Sequence, residues 1–237
     1  MRSVLILALC AAALAPALQA QTTAGQTASG TAEPAPGDWP RYARDLGGTR
    51  FSPLDDIDTG NVGDLQQAWS FTLRPDGGAG LLGGTVPVVI EGVMYLPLGN
   101  AVVAVEGHTG RELWRHPVQG GLVRRGVTYW GGDGTISPRI FYSTGSAITA
   151  LNPATGEVDT SFGQNGSITI DGTPYSYPPT IYKNVMLIGA NTAEMPRGPS
   201  GNSRAYDART GAKLWEFNSV PQPGEVGHET WLDDGWK

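Results

Sequence analysis

The chain has 237 residues, and its 34 Gly and 18 Pro make up about a fifth of it, against roughly 12% in an average protein. With 16% charged and 40% hydrophobic residues it is too apolar for a disordered chain, and its turn-rich composition predicts many short strands. The formal net charge of −6 excludes the basic surface that nucleic acid or an anionic membrane requires.

Residues 1–20 have the pattern of a secretory signal peptide. Arg2 supplies a positive charge, an apolar stretch runs from Val4 to Leu18, and cleavage is expected after Ala20. Cys10 lies within the apolar stretch and leaves a lipoprotein anchor as an alternative. Removal of this peptide leaves a chain without cysteine, which excludes a disulfide or a thiolate metal site. The signal indicates the bacterial periplasm or the cell exterior.

Residues 21–37 are rich in Thr, Ala, Gly, Gln and Pro and have no hydrophobic periodicity, so they predict a flexible leader. The apolar stretch of the signal is too short to indicate a membrane span, and no span is expected in the mature chain. The rest of the chain, 38–237, is predicted to form one incomplete domain.

Three copies of a short repeat organise this domain. Their shared pattern is A-x-(D/E/N)-x-x-T-G-x-x-x-W, and the copies begin at Ala104, Ala150 and Ala205, 46 and 55 residues apart. In the second copy Thr160 stands where the Trp is expected. The acidic or amide residue can accept hydrogen bonds from turn amides, Gly permits a positive φ, and the Trp is expected to pack on a neighbouring unit.

The sequence around each repeat predicts four strands separated by Gly-containing turns. They are Val86–Ile90, Val93–Leu96, Ala101–Val105 and Glu112–His116 in the first unit; Gly126–Trp130, Arg139–Ser143, Ala147–Leu151 and a weak strand at Glu157–Phe162 in the second; and Thr180–Tyr182, Val185–Gly189, Arg204–Asp207 and Lys213–Phe217 in the third. One further outer strand is predicted at Leu65–Phe71, with Trp69 as its docking residue.

Four-stranded units at a spacing of ~40–50 residues are typical of propeller blades. The predicted fold is therefore all-β: a partial β-propeller of about three four-stranded blades plus an orphan N-terminal outer strand. Because propellers close with roughly 4–8 blades, the expectation is that the chain is the N-terminal portion of a longer protein. A degraded reading frame and a half-ring completed by a partner are the alternatives.

The segment that opens the domain resembles a known family. It reads Asp-Trp-Pro-Arg-Tyr at residues 38–42 and Asp-Leu-Gly-Gly-Thr-Arg-Phe-Ser-Pro-Leu at residues 45–54. Together with the Trp repeats in the same order, it resembles the pyrroloquinoline quinone (PQQ)-dependent dehydrogenases over essentially all of 38–237. The resemblance implies an eight-bladed, tryptophan-docked periplasmic propeller that oxidises alcohols or aldoses.

Four positions match cofactor or metal contacts of that family. Arg125 aligns with an Arg that contacts the quinone, a role that suits a permanently charged guanidinium, and a surface Arg paired with an acid is the alternative. Ser176 aligns with a cofactor-contacting hydroxyl, and a turn-forming Ser is the alternative. Asn191 aligns with a cofactor-contacting Ser. Glu194 aligns with the first carboxylate ligand of a calcium ion, or is a solvated loop residue.

Other positions depart from the family pattern. Gly84 stands where many members have a Glu near the cofactor. Gln119 and Gly120 stand where alcohol-oxidising members have an adjacent cysteine pair. The absence of this pair favours an aldose over methanol as the substrate. The second metal-ligand Asn, the Trp under the quinone ring and the catalytic Asp would lie beyond Lys237, so no catalytic base is assigned and the chain alone is not expected to be competent.

The first functional hypothesis is a periplasmic PQQ-dependent dehydrogenase. Ca²⁺ would act as a Lewis acid, hydride would pass from an alcohol or aldose CH–OH group to the quinone, and a cytochrome or a quinone would accept the electrons. The second hypothesis is a non-catalytic Trp-repeat propeller that assists outer-membrane protein assembly. It explains the repeats and the export signal equally well, but not the joint placement of Arg125, Ser176 and Glu194.

Overall fold

The strands of the protein form three four-stranded sheets in a computed structural model that describes residues 33–72, 84–123, 125–172, 174–190, 192 and 200–235. In each sheet, neighbouring strands follow one another along the chain and run antiparallel. The bounds are β1 Val88–Ile90, β2 Val93–Leu98, β3 Ala101–Glu106 and β4 Glu112–Pro117; β5 Thr128–Trp130, β6 Arg139–Ser143, β7 Ala147–Leu151 and β8 Ser167–Thr169; and β9 Thr180–Tyr182, β10 Val185–Ile188, β11 Ser203–Asp207 and β12 Lys213–Phe217. The predicted arrangement of three four-stranded units is confirmed.

The turn of each repeat is held by the side chain of its acidic or amide residue. The Oδ1 atom of Asn152 accepts a hydrogen bond from the backbone N–H of Ala154 at 2.8 Å, and that of Asp207 accepts one from Arg209 at 2.8 Å. The glycine that follows has a positive φ, for example 73° at Gly156, which an L residue rarely adopts. These contacts confirm the turn chemistry predicted from the repeat.

Trp114 and Trp69 each dock on the turn of the repeat that follows them in the chain, whereas Trp215 of the third repeat is exposed. The indole N–H of Trp114 donates to the carbonyl of Pro153 at 2.8 Å, and a Cβ placed on Gly156 would lie only 2.5 Å from a ring carbon. In the same way the indole N–H of Trp69 donates to the carbonyl of Gly107 at 3.0 Å. Glycine is therefore needed in this turn both for its φ and for the close approach of the ring.

The hydrophobic core lies between neighbouring sheets. Strand β6 is buried along its whole length, and its successive side chains point to opposite faces. Ile140 packs with Val102 of the first sheet, whereas Phe141 packs with Met186 of the third. The second sheet is thus covered on both faces, as expected for a blade between two others.

Two strand predictions were wrong. No strand is found between residues 65 and 72, because none of the described residues pairs with this segment, although Trp69 docks as predicted. The segment Glu157–Phe162 makes a single bridge, between Val158 and Leu151, and then turns, because the carboxylate of Asp159 accepts the backbone N–H of Ser161 at 3.0 Å. The fourth strand of the second sheet follows later, at β8.

The N-terminal segment is attached to the first sheet. The backbone groups of Trp39 and Val89 exchange two hydrogen bonds, of 2.8 and 3.0 Å. The buried guanidinium of Arg44 pairs with Glu33 at 2.6 Å and also donates to the carbonyl of Pro34 at 3.0 Å. The end of the predicted leader is therefore bound to the domain in this structure.

Helical structure in the described residues amounts to two short 3₁₀ helices, Val62–Asp64 and His228–Thr230. None of the described helices is long and apolar enough to cross a membrane.

Candidate functional site

A cavity of about 710 Å³ lies where the first strands of the three sheets come together. Its lining is drawn from four parts of the chain, within residues 40–48, 84–88, 125–129 and 177–181. Three of these parts include the residues that directly precede β1, β5 and β9, and we call 84–87, 125–127 and 176–179 the approach segments. The repeated topology thus brings three equivalent pieces of backbone to one place.

Direct contacts hold the approach segments side by side. Val86 and Gly126 form a parallel bridge, and a Cβ at Gly126 would lie 3.0 Å from the Val86 carbonyl oxygen, so a larger residue would separate them. The buried hydroxyl of Thr128 donates to the carbonyl of Pro179 at 2.7 Å. The wall of the cavity is therefore made of tightly joined backbone, which limits how far its side chains can shift.

Arg125, the predicted quinone contact, lies in this wall. Arg125 is exposed, and its guanidinium carbon is 4.5 Å from the centroid of the Tyr177 ring. Among the described residues no carboxylate is within ion-pair distance of this guanidinium. The cavity consequently contains a cation whose hydrogen-bond donors can reach an anionic ligand.

Two further charges come from the N-terminal segment. Arg41 is half-buried, and its burial lowers its pKa while Asp45 raises it; a guanidinium with such a high ordinary pKa stays charged. Hydrogen bonds, first from the Thr49 hydroxyl and then from backbone N–H groups, lower the pKa of Asp45, so its carboxylate is also charged at neutral pH. Since these two charges offset each other, Arg125 leaves the described lining with a net positive charge.

Ser176 directly precedes Tyr177 and is half-buried. It stands beside the cavity without being part of its lining. Its hydroxyl contact with a cofactor remains a prediction.

Asn191 and Glu194 lie outside the described residues, so their predicted roles remain predictions. They follow β10, which ends at Ile188. Within the described ranges, no group of three or more His, Cys, Asp and Glu side chains is arranged to hold a metal ion.

Gly84, noted from the sequence as a departure, lines the same cavity as Arg125. Its φ is 96°, and apart from its chain neighbours no described residue has an atom within 4 Å of the position that a Cβ would take. Gly84 itself contributes no charge to the wall of the cavity.

Sequence reasoning missed Tyr177 and Arg41. Tyr177 contacts Arg125, which is 52 residues away in the chain, and no local pattern shows such a contact. A signal was present in the two prolines that follow it, Pro178 and Pro179, because a residue before proline is held in an extended conformation. Arg41 lies in the opening segment that carries the family resemblance, but no pattern in the sequence placed it at the cavity.

Comparison with known proteins gives consistent matches. Residues 39–237 match the family model of the PQQ glucose/ethanol/alcohol dehydrogenase beta-propeller domain. The chain is 35% identical over 199 residues to the quinohemoprotein alcohol dehydrogenase of Comamonas testosteroni. This match covers 78% of this chain and 26% of that protein. It is 34% identical over 241 residues to the dehydrogenase subunit of the alcohol dehydrogenase (quinone) of Gluconobacter oxydans strain 621H, covering 90% of this chain and 30% of that protein.

Solved structures agree with these matches. The crystal structure of the quinohemoprotein alcohol dehydrogenase from Comamonas testosteroni is similar with a TM-score of 0.64 and 30% identity, over 79% of this chain and 28% of that one. The chain thus spans 30% or less of the length of these relatives.

Proposed function

Because the chain belongs to the PQQ glucose/ethanol/alcohol dehydrogenase beta-propeller family, we propose that it forms part of the cofactor-binding end of a PQQ-dependent dehydrogenase. The proposed reaction is the oxidation of an alcohol or aldose at a CH–OH group. The observation that carries this proposal is the Arg125 guanidinium, which lines the cavity and has no carboxylate partner among the residues described.

The chemistry of the cavity suits PQQ, which is planar and carries three carboxylates and an ortho-quinone. The cavity of about 710 Å³ is in the size range of small-molecule sites. Arg125 offers charge-assisted hydrogen bonds to a carboxylate or quinone oxygen, and Val88 and Ile181 supply an apolar wall that excludes water. When bound, PQQ would supply the hydride acceptor, while these residues of the chain bind and orient it.

Three further residues enter the proposal by family resemblance. The hydroxyl of Ser176 would donate a hydrogen bond to a cofactor oxygen, and Asn191 would make a second polar contact with the cofactor. Glu194 would be one oxygen ligand of a Ca²⁺ ion, whose Lewis acidity assists hydride transfer in this reaction class.

The cellular setting is part of the same proposal. Residues 1–20 would direct the protein to the periplasm and residues 21–37 would form a leader before the propeller domain at 38–237. A cytochrome or a quinone would receive the electrons. The relatives named as alcohol dehydrogenases favour an alcohol as the substrate. The absence of a cysteine pair at Gln119 and Gly120 favours an aldose over methanol.

The test is PQQ binding by the purified full-length gene product. PQQ is titrated in the presence of Ca²⁺ while tryptophan fluorescence is recorded, and dye-linked turnover is then assayed on ethanol and glucose. Loss of a charge-assisted hydrogen bond of roughly 1.5–3 kcal/mol predicts that Arg125→Gln weakens PQQ binding by about one to two orders of magnitude.

Arg115→Gln is the matched control, because Arg115 pairs with Glu112 at 2.5 Å on β4, away from the cavity lining. It should leave the PQQ dissociation constant unchanged. A wild-type protein that is folded but binds no PQQ would overturn the proposed function and favour the scaffold hypothesis. Equal affinities of the wild type and Arg125→Gln would remove Arg125 from the site.

A further inference from the structure

Among the described residues, the ring of Tyr177 is the neighbour that contacts the Arg125 guanidinium. Within the part of the chain that the structure describes, the ring of Tyr177 is the only group with which the guanidinium makes a cation–π contact, at 4.5 Å, and no described residue makes a hydrogen bond or ion pair with it. Both residues line the cavity. The direction in which Arg125 presents its N–H groups therefore depends on this ring.

The ring itself has a rigid base. Tyr177 precedes Pro178, which restricts its backbone to an extended conformation. The carbonyl of Pro179 accepts the hydrogen bond of the buried Thr128 hydroxyl, which ties the approach segment of β9 to the start of β5. Tyr177 is nonetheless 58% exposed, so a face of its ring remains available to a side chain or ligand in the cavity.

The contact with the ring leaves the N–H groups of the guanidinium available to a ligand. The guanidinium carbon lies over the Tyr177 ring, and none of the five N–H groups makes a hydrogen bond with a described residue. A planar fork held in this way loses less rotamer entropy when it binds a carboxylate than a freely moving side chain does.

We propose that Tyr177 is the positioning residue for Arg125, holding the guanidinium so that its N–H edge meets an anionic group of the ligand in the cavity. The inference rests on the proposed function, in which that group is an oxygen of PQQ. The hydroxyl of Tyr177 makes no hydrogen bond with any described residue, so the aromatic ring carries the effect.

The experiment compares PQQ affinities of variants of the full-length gene product, by the same fluorescence titration with Ca²⁺ present. Tyr177→Leu should raise the dissociation constant about two- to five-fold, the size expected from an exposed cation–π contact. Tyr177→Phe keeps the ring and should restore the wild-type value.

Tyr182→Leu is the matched control. Tyr182 is a second exposed tyrosine with a cation over its ring, Lys183 at 5.4 Å, but it lies outside the cavity lining. Its replacement should not change the dissociation constant for PQQ.

A double-variant comparison separates positioning from direct contact with the ligand. If Tyr177 acts through Arg125, Tyr177→Leu should have no further effect in an Arg125→Gln protein. An undiminished effect in that background would overturn the positioning role and indicate that the ring touches the ligand itself. Wild-type affinity in Tyr177→Leu would overturn the inference alone, whereas a wild-type protein that binds no PQQ would overturn the proposed function with it.

Discussion

At both junctions between neighbouring blades, a side chain from one blade docks on the turn of the repeat in the next blade, which we call the receiving turn. The turn is equivalent at the two junctions, but the docking side chain differs. At the first junction, the Trp114 ring covers Gly156 and its indole N–H donates to the Pro153 carbonyl at 2.8 Å. At the second, the corresponding carbonyl, that of Ala208, accepts a hydrogen bond of 2.8 Å from the Arg139 guanidinium. A tryptophan and an arginine thus perform the same docking step.

The arginine needs help that the tryptophan does not. A Trp ring supplies both a donor and a large flat surface. Arg139 supplies donors only, and the space above Gly211 is filled by Ile168, whose Cγ2 would lie 2.5 Å from a Cβ placed there. Its charge is balanced by Asp159 at 2.7 Å. The receiving turn therefore fixes the geometry of a junction, and the docking side chain can be exchanged when other residues supply the missing contacts.

The largest expected effect is the loss of the arginine at the second junction. Arg139 is fully buried and also donates to the carbonyl of Arg209 and the hydroxyl of Ser161, at 2.6 and 2.8 Å. Arg139→Met would leave these acceptors and the Asp159 carboxylate without their partner. Breaking a buried ion pair in this way predicts a loss of about 3–5 kcal/mol in the free energy of unfolding, measured by urea denaturation of the full-length protein.

Arg115→Met provides the control for this prediction. The Arg115–Glu112 pair lies on an exposed strand, and surface pairs contribute about 0–1 kcal/mol. If both variants lost the same small amount of stability, the second junction would be held by the packing of Ile168 rather than by the arginine.

A smaller effect is expected from filling the receiving turn at the first junction. Gly156→Ala would place a methyl group against the Trp114 ring, and overpacking of this kind costs about 1–3 kcal/mol. Gly120→Ala is matched to it, because Gly120 has a similar positive φ of 86° but no described residue, apart from its chain neighbours, within 4 Å of its Cβ position. The difference between the melting curves of the two variants isolates the contact with the ring, and equal curves would show that φ alone requires the glycine.

The same comparison shows what the sequence could predict. In the first unit Trp114 follows Gly110 by four residues, and the repeat predicted β3, β4 and the docking of the ring. In the second unit β8 begins at Ser167, eleven residues after Gly156, because an inserted loop separates the turn from its fourth strand. The expected position therefore held Thr160, and neither Ile168 nor the docking role of Arg139 was visible from spacing.

The candidate site was predictable only where a motif carried it. Arg125 was identified from its resemblance to family members; the structure places it in the cavity lining, and its contact with a quinone remains a prediction. Its neighbour Tyr177 reaches it only because β5 and β9 lie side by side in the propeller, a tertiary relation that a linear pattern does not contain. Ser176, Asn191 and Glu194 remain predictions.

The smallest expected effect is a difference in acid sensitivity between the junctions. Burial raises the pKa of Asp159, but hydrogen bonds from Ser161 and Arg139 lower it by more, so its pKa lies below the ordinary value. Because the folded-state pKa is lower than the unfolded one, this stabilisation is complete above the unfolded pKa of about 3.9 and is lost as the pH falls through the folded value.

Asp159→Asn should therefore be less stable than the wild type at neutral pH, and the difference should shrink as the pH falls below about 4. The control is Trp114→Phe at the first junction: the Trp114 indole does not titrate, so this variant should lose the same stability at pH 4 as at pH 7. Urea midpoints across this range would measure both variants, and a stability gap for Asp159→Asn that stayed constant with pH would show that the Arg139–Asp159 pair contributes through packing rather than charge.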